Sequence, residues 1–86
     1  MNIQLKIKFM NEKIENIMKK IKLLRKKKGK TQKQFGKVFG VSAQQIHKYE
    51  ANKNTLSLEF FLEICRYFNI EPEVLLKDDE KIEKSV

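Results

Sequence analysis

Apolar residues at the start of the chain alternate. Ile3, Leu5, Ile7 and Phe9 interleave with Asn2, Gln4, Lys6 and Lys8. Period two over eight residues predicts a strand or extended arm over Asn2–Phe9. From Asn11 the period lengthens, and Ile14, Ile17, Met18, Ile21 and Leu24 fall on one helical face. A first helix is expected over about residues 12–28, with Asn11 as its N-cap. Glu12 and Glu15 suit its positive end, and Lys26 to Lys28 suit its negative end before Gly29.

The next twenty residues predict two short helices joined by a sharp turn. Thr31 is followed three positions later by Gln34, and Ser42 by Gln45. In such a capping box the hydroxyl accepts a first-turn amide and the glutamine reaches back to the cap. The second helix is expected from about Gln32 to Phe39, burying Phe35, Val38 and Phe39, and the third from about Ala43 to Ala51. Gly40 stands between them, where the chain must turn through left-handed backbone angles. Two helices around a short glycine-containing turn form a helix-turn-helix.

Downstream, Asn52 to Leu56 read as a loop. Ser57 caps a fourth helix, expected to bury Leu58, Phe61, Leu62, Cys65 and Phe68 and to leave Phe60 and Tyr67 partly exposed. Pro72 fits the first position of a short fifth helix holding Val74 and Leu75. Residues 77–86 are almost wholly charged and are expected to be a frayed or disordered tail. The organisation is therefore an arm over residues 1–10, an all-α domain over 11–76 and a tail. Met10 is an alternative start, which would make the first nine residues extraneous.

Charge sharpens this picture. The chain has 86 residues and a formal net charge of +8. Residues 1–56 carry 15 Lys/Arg against 3 Asp/Glu, whereas residues 57–86 carry 4 against 8. The basic half contains the helix-turn-helix, the footprint expected of a protein that meets phosphate. A lysine-rich surface explains many of the lysines but not their asymmetry. One histidine, one cysteine and no paired carboxylates in the predicted core leave nothing from which to build a catalytic set, so an enzyme is not expected. The single Cys65 excludes an internal disulfide and a cysteine-based zinc cluster, and reads as a buried small hydrophobe. No metal or cofactor is expected. With no secretory segment and no membrane-length apolar run, a cytoplasmic protein is the expectation.

At 100° per residue the third helix divides into two arcs. Ile46, Tyr49 and Glu50 share one, and Ala43, Gln44, His47 and Lys48 the other. The apolar arc faces the bundle, so the second faces outward. Gln45 lies at its edge, but as third residue of a capping box it reads as structural.

The pattern Thr31-Gln32-x-x-Phe35-Gly36-x-x-x-Gly40-Val41-Ser42-x-x-x-Ile46-x-x-Tyr49-Glu50 resembles the lambda-repressor-like (Xre/Cro-type) DNA-binding family. The resemblance spans roughly residues 14–76. Gly36 replaces the usual alanine, Asn52 a usual glycine, and Leu56 a frequent proline. It implies a compact five-helix bundle whose third helix enters the major groove. There Gln44 can pair with adenine, Lys48 can donate to guanine, and Ala43 can approach a thymine methyl. His47 fits a base edge, a phosphate or solvent. By resemblance Ala43, Gln44 and Lys48 occupy base-reading positions, Gln32 is the phosphate clamp, and Arg25 bridges Glu50. Lys33, Lys37, Lys53 and Asn54 are further candidates for phosphate.

The expected function is sequence-specific binding of double-stranded DNA by a transcriptional regulator, a repressor acting on a palindromic operator. One recognition helix reads few base pairs, so a homodimer is expected. Its interface is either pairing of strand Asn2–Phe9 with a second copy or packing through the fourth and fifth helices. A monomer, with the strand packed on its own bundle, stays open. The alternative is a protein-interaction module on the same scaffold, such as an antitoxin or an adaptor for RNA polymerase, with Phe60 and Tyr67 as its surface.

Overall fold

In the computed structural model, which describes residues 3–77, five helices follow one another in chain order. They are α1 (Ile3–Lys27), α2 (Gln32–Phe39), α3 (Ala43–Glu50), α4 (Leu58–Phe68) and α5 (Pro72–Leu76). Among the described residues there is no strand. The expected tail falls outside them except for Lys77.

The predicted strand over Asn2–Phe9 is corrected to helix from Ile3 onward, and Asn11 lies inside α1 rather than capping it. The reason is physical. A lone strand has no partner for its amides and carbonyls, whereas a helix satisfies its own. No glycine or proline interrupts the chain before Gly29. Ile3, Ile7, Met10 and Ile14 are spaced four, three and four, continuous with Ile17, Ile21 and Leu24. The alternation of Ile3, Leu5, Ile7 and Phe9 is real, but it sits on a longer helical register. At 1.5 Å per residue α1 is about 37 Å long, against about 16 Å for α4. Its first turns therefore outrun the bundle, and Ile3, Leu5, Ile7, Phe9 and Met10 remain exposed.

The core gathers Met18 and Ile21 from α1, Phe35 from α2, Ile46 from α3, Ile64 and Cys65 from α4 and Leu75 from α5. Phe35 is its hub, stacked on Phe68 at 5.7 Å and edge-on to Phe39 at 5.1 Å and Tyr67 at 6.0 Å. Such contacts add to area burial by about 0.5–1.5 kcal/mol each. Phe60 joins the cluster through Phe39 and Tyr49. Lys28 Nζ lies 4.1 Å from the Tyr67 ring centre, a cation–π contact.

These contacts turn α4 from its expected phase. Phe60, Ile64 and Tyr67 pack inward, while Leu58 is 73% exposed and Leu62 45%. The sequence LEFFLEICRYF is apolar on most of its circumference, so periodicity leaves the face ambiguous. Aromatic volume decides: Phe60 and Tyr67 fill space beside Phe39 that leucines at 58 and 62 do not reach. They are core residues rather than a partner surface. Likewise Val38 and Val74 point outward while Phe35 and Leu75 are buried.

Candidate nucleic-acid interface

Thr31 opens α2 with a complete capping box. Its hydroxyl accepts from Gln34 N at 3.1 Å, and Gln34 Oε1 accepts from Thr31 N at 2.9 Å. Gly40 closes the helix at φ 73°, a left-handed angle that glycine adopts without steric cost, and Val41 N donates to Gly36 O at 2.9 Å. Ser42 then caps α3, its hydroxyl accepting from Gln45 N at 3.1 Å. This second cap is half a box: the Gln45 side chain does not return to the Ser42 backbone. Gln45 is half-buried at the rim of the outward face, with its amide available for other contacts. Reading it as a structural capping residue overlooked that Ser42 caps α3 without it.

The departure at Gly36 has a structural meaning. A Cβ there would stand 2.4 Å from the Val41 carbonyl oxygen and 3.2 Å from that of Ser42. The turn at Val41 and Ser42 that leads into α3 is thus pressed directly onto the backbone of α2, and only glycine permits this approach. Asn52, in place of the usual glycine, takes φ 60°, a conformation asparagine tolerates better than most residues.

Behind the turn lies one buried ion pair. Arg25 Nε donates to Glu50 Oε2 at 2.7 Å and its Nη2 to Oε1 at 3.0 Å, while Nη1 donates to Lys30 O at 2.7 Å. Both side chains are nearly sealed from water. Gln32 Nε2 adds a third donor to Glu50 Oε1 at 3.0 Å. Four segments are tied together here: the end of α1, the loop at Lys30, the start of α2 and the end of α3. The Gln32 contact carried no sequence signal, because it depends on how α2 and α3 are brought together. One amide hydrogen of Gln32 is spent on Glu50, and the Gln34 amide of the first turn is taken by the Thr31 hydroxyl.

On α3, Gln44 and His47 are exposed, and Ala43 and Lys48 are half-buried, with Gln44 and Lys48 turned away from the buried Ile46 and Ala43 beside it at the helix start. Lys33 and Lys37 are exposed on α2, and Lys53 and Asn54 on the loop beyond α3. The backbone amides of Lys53 and Asn54 both meet Lys48 O, which folds that loop back over the end of α3. Cys65 is buried; desolvation first, and then the Glu71 carboxylate, raise its pKa above the ordinary thiol value, so it stays protonated at neutral pH. No described helix is long and apolar enough to cross a membrane.

Comparison with known proteins agrees with this geometry. A helix-turn-helix family model matches residues 21–75, which covers the C-terminal end of α1, the whole of α2 to α4 and most of α5. The chain is 32% identical over 66 residues to antitoxin PezA of Streptococcus pneumoniae, an alignment covering 77% of this chain. It spans 42% of that relative's length. No solved structure matches. With the two capped helices and Gly40 inside the matched segment, the chain belongs to the lambda-repressor-like (Xre/Cro-type) helix-turn-helix family.

Proposed function

We propose that this protein is a cytoplasmic, sequence-specific DNA-binding regulator, acting as a repressor, that reads the major groove of B-DNA with α3. The carrying observation is the division of α3. Ile46 is buried and Glu50 is taken up by Arg25, while Gln44 and His47 stand exposed between exposed lysines of α2 and the following loop. An acid on a helix that approaches a polyanion is unfavourable unless its charge is met, and the Arg25 pair meets it. In this reading Gln44 and Lys48 contact base edges, with Ala43, His47 and Gln45 at their margin. Gln32, through its backbone amide and side chain, holds one phosphate at the start of α2, helped by Lys33, Lys37, Lys53 and Asn54. A homodimer on a palindromic operator would set two copies of α3 about 34 Å apart in successive major grooves.

In vitro selection of binding sites from random duplexes tests this reading. A recurrent sequence with two-fold symmetry is expected. Recovery of no preferred sequence would refute it.

A second reading, a protein-interaction module such as an antitoxin or a transcription adaptor, draws on the name of the pneumococcal relative and on the outward Leu58 and Leu62 of α4. It predicts a small toxin encoded beside this gene that co-purifies with the protein. Leu58→Asp with Leu62→Asp would then abolish co-purification and leave DNA binding intact.

A further inference from the structure

The flank of α1 beside the helix-turn-helix carries positive charge that nothing in the fold answers. Arg25 sets the phase of this helix, because it grips Glu50 at the end of α3. At about 100° per residue, Lys28 and Leu24 lie about 60° and 100° from Arg25 on one side. That side belongs to the bundle, since Lys28 sits over Tyr67 of α4 and Leu24 packs on the core. Lys22 and Lys26 lie about 60° and 100° from Arg25 on the other side. Both are exposed, and among the described residues neither has an ion-pair or hydrogen-bond partner. With Lys19 and Leu23 they border a shallow groove of about 320 Å³. The nearest acid along α1, Glu15, pairs with Lys19 at 3.7 Å.

Local effects leave this cluster unexplained. Cations in the last turn suit the negative end of a helix, which accounts for Lys26 but not for Lys19 or Lys22. Lys22 and Lys26 stand four apart, and Lys19 and Lys22 three apart, spacings at which like charges destabilise a helix. An anion from outside relieves that repulsion.

We infer that Lys22 and Lys26 carry the phosphate track of bound DNA from the start of α2 onto the flank of α1. The inference rests on the DNA-binding reading and extends its contact surface. Position favours the backbone of the same duplex as the partner. Gln32, to which that reading gives a phosphate, donates to the carboxylate that Arg25 holds, so the start of α2 adjoins this stretch of α1. Lys33 and Lys37 continue the exposed basic surface along α2. Charge complements it, because the chain contains no Asp or Glu from residue 16 to residue 49. Contacts of this kind position a protein on DNA and read no bases.

Fluorescence anisotropy of the full chain on duplex DNA, across about 50 to 200 mM salt, tests the track. Lys22→Gln with Lys26→Gln should lower the slope of log affinity against log salt by about 0.9 for each lysine in each bound copy. The weakening should be equal on a selected site and on scrambled duplexes, with the melt unchanged. Lys22→Arg with Lys26→Arg should keep the slope. Lys27→Gln removes the same charge from the far side of α1 and should leave the slope as it was. In the presence of duplex, acetylation by an N-hydroxysuccinimide ester should slow at Lys22 and Lys26 and not at Lys27. A flat salt response of the unaltered protein would remove the DNA-binding reading itself. A steep response that survives Lys22→Gln with Lys26→Gln overturns the inference and leaves that reading standing. So does a loss confined to the selected site, or an equal loss with Lys27→Gln, which would reflect net charge alone. A preserved slope with loss of a co-purifying acidic protein would assign the lysines, and Leu23 between them, to that partner instead.

Discussion

Glu50 has three donors at its carboxylate, two from Arg25 and one from Gln32, in a place that water barely reaches. Arg25→Ala would leave that charge buried with a single amide, a change that typically costs ~3–5 kcal/mol. A domain of this size has ~5–15 kcal/mol of stability in all. The expected result is a large fall in melting temperature, with DNA affinity per folded molecule nearly preserved. An unchanged melting temperature with lost binding would assign Arg25 to the DNA instead. Gln44 is the opposite kind of residue. It is exposed and touches nothing that holds the fold, so Gln44→Ala should leave the melt unchanged. At a selected site it should cost ~1–3 kcal/mol and relax one base position. Equal loss on every sequence, measured by titration against scrambled duplexes, would show that Gln44 does not read bases.

Among the helices, the junction of α2 and α3 is the least tolerant. Alanine is a better helix former than glycine by ~1 kcal/mol, and helix propensity alone would make Gly36→Ala stabilising. The 2.4 Å separation of the added Cβ from Val41 O argues otherwise, since that atom is backbone and cannot swing aside. Overpacking of this kind costs ~1–3 kcal/mol, so net destabilisation is expected in a denaturant titration. A more stable Gly36→Ala would mean that the Val41–Ser42 turn can withdraw from α2 at little cost. The same weighing of local preference against packing explains α1 and α4. At Ile3 to Phe9 two periods coexist in one stretch, and the satisfied backbone of a helix prevails. In α4 nearly every face is apolar, and the aromatic ring cluster chooses which one turns inward.

For the molecule as a whole, charge is distributed so that the acids of residues 57–86 follow, rather than enter, the helix-turn-helix. If the proposed dimer meets roughly six to ten phosphates, its affinity should drop ~10³–10⁵-fold between about 50 and 200 mM salt. Fluorescence anisotropy across that range is the measurement, and a nearly flat response would count against DNA as the partner. The arm of α1 bears on assembly as well. A strand-paired dimer through residues 2–9 has no strand on which to rest, because that segment is helical from Ile3 onward.

Local chemistry was enough to establish the helix-turn-helix from the residues themselves. Hydroxyl caps at Thr31 and Ser42, glycine at a left-handed turn and the split of α3 into two arcs each depend on neighbours within about four positions, so they are written in the order of the chain. The family followed from the same stretch. Tertiary structure decided what depends on distant partners: the inward face of α4 and the third donor to Glu50 from Gln32. Neither has a short-range signature. Each is set by which surface arrives opposite it, and that surface lies elsewhere in the sequence.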